Sequence, residues 1–168
     1  IIEEITLSQD VRKSLVEILL ERERKVDASK FSRKALLMPY YNSGSLFEYI
    51  RKTNIDVSPN WNEELDHTII DDIFFAVRFL HSKDWAHLDI KPKNIMLHYL
   101  GPNNYKAVLI DYGIAKSLKK NLNSGSGSEP YMSPELLKCR YEKKVLYSKG
   151  PDIWALGLVI LEIYLKIS

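Results

Sequence analysis

Apolar residues recur at helical spacing in several parts of the chain. From Glu63 to Ser82 they fall every third or fourth position, which predicts one long helix with a single buried face. Phe74 and Phe75 should widen that face. A second helix is predicted from Ser8, a candidate N-cap. We expect the buried face of the long helix to be formed by Leu65, Ile69, Ile73, Ala76 or Val77, and Leu80.

Shorter apolar runs predict strands. One such run, 35–38, ends at Pro39, where a proline cannot continue a strand ladder. Two more, 95–97 and 107–110, are joined through the turn-forming residues 101–104 and predict a hairpin. A polar connector is predicted over 54–62.

The apolar run from Trp154 to Ile167 raises the question of a membrane span. It contains Glu162 and Lys166, and it is shorter than the roughly 20 residues that a span needs. We therefore predict a helix that is buried in a protein interior, and no membrane span.

Composition narrows the class of protein. The chain has 168 residues, of which 45% are hydrophobic and 27% charged, as in a globular domain. A formal net charge of +2 favours neither nucleic acid nor a membrane surface as partner. The one cysteine, Cys139, allows no internal disulfide, so we expect a reducing, cytoplasmic location. Oligomeric state is not indicated.

The stretch from His87 to Asn94 concentrates polar side chains suited to phosphoryl transfer. Pro92 fixes φ, which favours a rigid loop. Such a loop can bring together a carboxylate for an incoming hydroxyl (Asp89), a cation for a phosphate (Lys91) and an amide oxygen for a metal (Asn94).

A second carboxylate follows an apolar run. Asp111, at the end of the predicted hairpin, is a candidate Mg²⁺ ligand. Because the hairpin has Asn94 at one end and Asp111 at the other, we expect both metal ligands at the same edge. His67, His81 and His98 lack metal-ligand spacing and are interpreted as structural or surface residues.

These motifs resemble those of protein kinases in type and in order. His87–Asn94 is similar to the family pattern H-R-D-L-K-P-x-N, and Asp111–Gly113 to D-F-G. Further along, Gly127–Glu135 resembles G-T-x-x-Y-M-A-P-E, and Asp152–Gly157 resembles D-x-W-S-x-G. The resemblance implies an α+β, two-lobe kinase-like fold with a mostly helical C-lobe and part of the small lobe and hinge.

The resemblance also implies ATP and Mg²⁺ as cofactors and a protein as substrate. Asp89, Lys91, Asn94 and Asp111 match the catalytic positions, with Asn94 and Asp111 holding the metal. The implied nucleotide-binding set is Met38 as gatekeeper, the backbone of Pro39 and Tyr41 for adenine, Ser45 for ribose and Met96 as the adenine floor.

The resemblance covers only part of a kinase domain. It divides the chain into a small-lobe remnant, 1–38, a hinge, 39–45, and a C-lobe, 46–168, that ends with its central helix. No glycine-rich loop precedes Ser8, and no strand with a phosphate-binding lysine is evident; the family's last helices are also missing. Glu17 and Glu21 are candidates for the glutamate that pairs with that lysine, or for an exposed helix face.

Two departures from the family pattern bear on regulation and packing. Leu88 stands where the family has an arginine that pairs with a phosphate on the activation segment, so control by such phosphorylation is disfavoured. Tyr112 replaces phenylalanine and brings a hydroxyl that needs a partner. The segment 117–128 matches the activation segment, and its serines at 124, 126 and 128 are candidate phosphosites or parts of a flexible linker.

Three functions stay open at this point. The first is a Ser/Thr-directed protein kinase, favoured by Lys91 two positions after Asp89. The second is a pseudokinase or kinase-like scaffold, favoured by the missing phosphate loop. The third, a small-molecule kinase, is disfavoured because 133–135 resembles a peptide-substrate platform.

Asp152 is predicted to do more than begin its own helix. A loop without regular secondary structure must have its backbone N–H groups satisfied by other acceptors. We expect the Asp152 carboxylate to accept hydrogen bonds from the backbone near His87 and Leu88, and so to anchor the loop.

Overall fold

The computed structural model describes residues 3–6, 34–55, 63–102, 104–119, 127–142 and 148–167. The chain divides into two compact units, residues 1–40 and 41–168, and the division falls within the predicted hinge, 39–45.

The smaller unit contains a two-stranded antiparallel sheet. Strand β1, Glu3–Thr6, pairs with β2, Lys34–Leu37, and Glu3 lies opposite Leu37. The sequence predicted β2 within one residue at each end, but it left the region of β1 unassigned. The helix predicted from Ser8, together with Glu17 and Glu21, lies outside the described residues.

The larger unit combines helices with two small antiparallel sheets, so the predicted α+β class is confirmed. The elements in chain order are α1 (Leu46–Ile55), α2 (Glu63–Ser82), β3 (Trp85–Ala86), β4 (Ile95–Gly101), β5 (Asn104–Leu109), β6 (Lys116–Ser117), α3 (Pro134–Glu142) and α4 (Gly150–Leu165). β3 pairs with β6, and β4 pairs with β5.

Helix α2 is the longest described element and has the bounds that its periodicity predicted. It packs on β5 and α4. The prediction that Phe74 and Phe75 widen the buried face is wrong: they are 48% and 59% exposed. Each residue turns by about 100°, so the positions directly after Ile73 face away from the core. Four of the predicted apolar residues of α2 do lie in the core: Leu65, Ile69, Ile73 and Val77.

A capping box begins α1. The backbone N–H of Ser45 donates to Glu48 Oε2 at 2.8 Å, and the N–H of Glu48 donates to Ser45 Oγ at 3.3 Å. Gly44 precedes this cap with φ 74°, which glycine adopts without strain. The helix ends at Ile55, so the predicted polar connector begins later than residue 54.

The β4–β5 hairpin forms as predicted, with longer strands. Ile95 lies opposite Leu109, and a bulge falls between Tyr99 and Gly101. Ile110 was predicted as a strand residue but lies just beyond β5. Its N–H still donates to the carbonyl oxygen of Asn94 at 2.8 Å. The hairpin therefore holds the loop before β4 close to the segment after β5.

Helix α4 is apolar, as predicted, but not buried on every side. Ala155, Leu156, Val159 and Ile163 lie in the core. Ile153 and Leu161, in contrast, are each more than half exposed within the chain, so burial on all faces is a wrong expectation. Among the described residues, no helix is both long enough and apolar enough to cross a membrane.

Candidate active site

The residues 87–94 form an irregular loop whose backbone is fastened to α4. Asp152 is fully buried and accepts hydrogen bonds from the backbone N–H groups of His87 and Leu88, each at 2.8 Å. His81, at the end of α2, lies 2.8 Å from the same carboxylate. The predicted anchoring by Asp152 is therefore confirmed.

His87 holds the inner side of this loop. Its Nε2 lies 3.0 Å from the carbonyl oxygen of Ile110, and its Nδ1 accepts from the N–H of Asp89 at 3.3 Å. Burial lowers the pKa of His87, against the opposing effect of the Ile110 carbonyl and nearby aspartates. Both contacts suit a neutral imidazole with the proton on Nε2.

Leu88 turns the chain at this point with φ 66°, a left-handed conformation that is uncommon for leucine. The two hydrogen bonds that the N–H groups of His87 and Leu88 donate to the Asp152 carboxylate hold this turn. Gly127 approaches closely from the other side: a Cβ at that position would lie 2.6 Å from the carbonyl oxygen of Leu88. Only glycine fits there without displacement of the backbone.

On the outer side of the loop, the Asp89 carboxylate accepts several hydrogen bonds. Lys91 Nζ donates to Oδ2 at 2.7 Å, and Asn94 Nδ2 donates to the same oxygen at 2.9 Å. Ser128 donates to Oδ1 through its N–H at 3.1 Å and its hydroxyl at 2.8 Å. Lys91 Nζ also donates to Ser128 Oγ at 2.8 Å. The structure thus brings together four side chains from two segments of the chain.

These contacts control the charge of Asp89. Partial burial by itself raises the pKa of Asp89, but the hydrogen bonds from Lys91 and Ser128, the charge of Lys91 and the amide of Asn94 outweigh it. The pKa of Asp89 is therefore lower than usual, and the group is an ionised carboxylate at neutral pH. Its side chain is 12% exposed, so a reactant can still approach it.

Asn94 and Asp111 lie at the same end of the hairpin, as the sequence predicted. Asn94 is the last residue of the 3₁₀ turn Pro92–Asn94, and Asp111 follows Ile110 with φ 63°. Because Asn94 Nδ2 faces Asp89, its amide oxygen points away from that carboxylate. Asp111 is exposed, and its Oδ1 accepts from the N–H of Gly113 at 3.3 Å. An amide oxygen and a carboxylate are suitable donors for Mg²⁺.

Tyr112 finds the partner that its hydroxyl requires. The hydroxyl donates to the carbonyl oxygen of Leu109 at 3.1 Å, and the ring lies edge-on to His87 with 5.0 Å between centroids. Burial raises the pKa of Tyr112. The tyrosine thus packs on the anchored side of the loop.

Comparison with known proteins decides the family. A family model described as the protein kinase domain matches residues 1–168, the whole chain. The chain belongs to the protein kinase family. The contacts around Asp89 and Asp152 lie in the segments whose sequence patterns resemble those of the family.

Individual relatives are serine/threonine kinases by name. Serine/threonine-protein kinase KSP1 of Saccharomyces cerevisiae is 35% identical over 132 residues, which are 76% of this chain and 12% of that protein. Human serine/threonine-protein kinase ULK1 is 29% identical over 134 residues, again 76% of this chain and 12% of that protein. MAP kinase-interacting serine/threonine-protein kinase 1 of Xenopus tropicalis is 28% identical over 139 residues, which are 77% of this chain and 32% of that protein. The chain therefore spans at most about a third of the length of these relatives.

The nucleotide-binding residues expected in a kinase are distributed over both units. Within the larger unit, Ser45 forms a bridge with Met96. Two hydrogen bonds flank that bridge, from Ser43 N to Leu97 O at 3.1 Å and from Leu97 N to Gly44 O at 2.9 Å. The start of α1 and the start of β4 are therefore adjacent.

The other three members of the predicted set lie on either side of the division between the two units. Tyr41 lies edge-on to His98, with 6.2 Å between ring centroids. Met38 and Pro39 belong to the smaller unit. The nucleotide-binding roles of Met38, Pro39, Tyr41, Ser45 and Met96 stay predictions.

The sequence did not indicate the long-range contacts of two residues. His81 has the structural role, one of the two predicted for it, because it is buried and contacts Asp152, 71 positions away. Gly127 was noted as part of a motif, but its close approach to Leu88 was not foreseen. No local spacing rule connects residues so distant in sequence, although the family patterns around Asp152 and Gly127 mark both segments.

Proposed function

We propose that this kinase chain belongs to an enzyme that transfers the γ-phosphoryl group of ATP to serine or threonine hydroxyls of proteins. The observation that carries the proposal is the Asp89 cluster, in which one ionised carboxylate is held by Lys91, Asn94 and Ser128. Phosphoryl transfer depends chiefly on such positioning and on charge stabilisation. The names of the relatives support the Ser/Thr class.

Each group of the cluster has a proposed role. Asp89 orients the substrate hydroxyl and accepts its proton; its lowered pKa keeps it ionised for that task. Lys91, with its ammonium group 2.7 Å from Asp89, supplies positive charge for the phosphoryl group in transit. Asn94 and Asp111 offer oxygen ligands for Mg²⁺, which neutralises phosphate charge when bound with ATP.

Ser128 supports the assignment to hydroxyl-bearing substrates. Its hydroxyl donates to Asp89 and accepts from Lys91, so it occupies the space between the proposed base and the cation. A substrate hydroxyl has the same hydrogen-bonding chemistry. The buried Ser133, at the start of α3, contributes to the segment that the sequence resemblance interprets as a platform for peptide substrates.

Other parts of the proposal rest on composition. The unpaired Cys139 and the use of ATP suit a cytoplasmic protein, and the near-neutral charge gives no reason to expect nucleic acid as partner. The alternative, a pseudokinase or scaffold, predicts that the Asp89 cluster binds a partner or nucleotide without transfer.

The proposal is tested with Asp111→Asn in the full-length protein. This change keeps the size of the side chain and tolerates the left-handed backbone, but it removes the charge that Mg²⁺ requires. We expect Mg²⁺-dependent transfer from ATP to a serine peptide to fall by at least roughly a hundredfold, with unchanged unfolding temperature.

Asp84→Asn is the matched control. Asp84 also has a left-handed φ, 58°, and it pairs at 3.0 Å with Lys119, which is not part of the Asp89 cluster. Its substitution should leave transfer unchanged. Transfer by Asp111→Asn at the parent rate would refute the metal assignment, and nucleotide binding by the parent protein without any transfer would favour the pseudokinase.

A further inference from the structure

A cationic aromatic surface lies beside the Asp89 cluster. Lys93 Nζ lies 4.8 Å from the ring centroid of Phe47, and the guanidinium carbon of Arg51 lies 5.7 Å from the same centroid. Both cationic side chains are exposed. We refer to Phe47, Arg51 and Lys93 as the Phe47 patch. Contact with one ring holds the two positive charges close together.

One residue of the Phe47 patch, Lys93, belongs to the proposed catalytic loop. Lys93 lies between Pro92 and Asn94, which are both buried, so its side chain leaves the loop on the outer surface. Lys93 is only four positions after Asp89, which limits the distance between their Cα atoms to about 14 Å. An extended peptide covers that distance in roughly four residues. A peptide whose hydroxyl is at Asp89 can therefore reach the patch.

The charge of the patch is not neutralised within the described part of the chain, where no carboxylate forms an ion pair with Arg51 or Lys93. The nearest acidic side chain along α1 is Glu48, and it is committed elsewhere. Its Oε2 accepts from the N–H and the hydroxyl of Ser45, at 2.8 and 3.2 Å. These two bonds, with a smaller effect from Lys52, lower the pKa of Glu48.

We infer that the Phe47 patch recognises an anionic side chain of the peptide substrate, located within about four residues of the phosphorylated serine or threonine. This inference rests on the proposed function and adds a substrate class to it. Two paired cations flanking an aromatic ring complement a carboxylate or a phosphate, and a guanidinium can bind either in bidentate geometry. Substrates with basic residues at the same position should be rejected.

Peptide libraries test the inference with the full-length protein. Each peptide contains one serine, with alanine, glutamate, phosphoserine or lysine placed singly at each of the four positions on either side. Both kcat/KM and the peptide affinity, from fluorescence anisotropy, are measured. We expect the best glutamate or phosphoserine position to exceed alanine by roughly three- to tenfold, which is the range of one or two exposed ion pairs. The preference should weaken at high salt.

Charge reversal shows whether the Phe47 patch causes the preference. Lys93→Glu, and more strongly Lys93→Glu with Arg51→Glu, should reverse the order of glutamate and lysine peptides, each value being compared with that of the alanine peptide for the same variant. The matched control is Lys83→Glu, because Lys83 is an exposed lysine just after the end of α2 that also lies over an aromatic ring, 5.6 Å from the centroid of Phe79. This control should keep the parent preference.

The outcomes separate the inference from the proposed function. A preference for glutamate indicates a carboxylate site, and a preference restricted to phosphoserine indicates a site for previously phosphorylated substrates; both support the inference. Equal values for anionic and neutral peptides, or a preference that survives the double reversal, overturn it. If no peptide is phosphorylated, the proposed function fails, but the affinities still decide whether the patch binds anionic peptides.

Discussion

The loop 87–94 has two sides that use aspartate in opposite ways. On the inner side Asp152 has no exposed surface, and it accepts from two backbone N–H groups and faces His81. On the outer side Asp89 is partly exposed and accepts mainly from side chains and from Ser128. Two backbone N–H groups with fixed positions hold Asp152, whereas Asp89 is held mostly by side chains that can rotate.

This difference indicates a structural role for Asp152 and a catalytic role for Asp89. Backbone contacts to a buried carboxylate cannot be exchanged with solvent or substrate, so they fix the path of the loop. Side-chain contacts to a partly exposed carboxylate can be exchanged when a substrate hydroxyl arrives. Changes on the outer side should therefore reduce turnover with little loss of stability, whereas changes on the inner side should reduce both.

The largest effect is expected from Asp89→Asn. The amide keeps the size of the side chain but cannot accept a proton, so we expect kcat to fall by roughly 10² to 10⁴. The unfolding temperature should change little. The pKa of Asp89 is lowered, so the parent carboxylate stays ionised throughout the neutral pH range. The ratio of parent kcat to variant kcat should therefore be the same from about pH 6 to pH 8. A factor that varies with pH in this range would contradict the assignment of Asp89 as the base.

Asp152→Ala should affect both stability and turnover. It leaves the buried N–H of His87 and the partly buried N–H of Leu88 without acceptors, at about 1–3 kcal/mol for a fully buried donor. Hydrogen exchange at these two amides should accelerate strongly, and kcat should fall. Asp71→Ala, at an exposed position of α2, is the control and should change neither. Unchanged exchange at both amides would show that other acceptors can replace Asp152.

Gly127→Ala should reduce kcat/KM by an intermediate factor, because a clash with the Leu88 backbone also displaces Ser128, which contacts Asp89. The added Cβ would meet the Leu88 carbonyl oxygen at 2.6 Å, and φ at this position is 132°. Relief of the clash moves Ser128 away from Asp89, so we expect roughly a tenfold loss of kcat/KM. Gly157→Ala in α4 is the matched control, since nothing lies within 4 Å of its added Cβ. Equal activity of the two variants would show that the loop and residue 127 move independently.

The smallest effect is expected from Ser124→Ala combined with Ser126→Ala. Both positions lie outside the described residues, and Leu88 cannot pair with a phosphate as an arginine does. Activity should therefore stay within about twofold of the parent, as measured by peptide phosphorylation. A hundredfold loss that acidic replacements restore would instead show that phosphorylation of this segment orders the outer side of the loop.

The sequence by itself determined the elements that depend on residues close together in the chain. The helical period from Glu63 to Ser82 predicted α2 with its observed bounds, and the turn residues after β4 predicted the hairpin. The spacing of Asp89, Lys91 and Asn94 predicted their convergence, because a short loop with a proline leaves few paths for the chain. The family pattern placed Asp152 beneath the loop.

Only the tertiary structure decided the pairings of distant segments. The strands β3 and β6 have two residues each and contain no pattern of their own, so each is defined by its partner. The exposure of Phe74 and Phe75, the contact of His81 with Asp152, and the meeting of Phe47 with Lys93 likewise depend on which surfaces come together. The physical reason is that helix periodicity and turn chemistry act over a few residues, whereas burial and long-range hydrogen bonds are properties of the assembled core.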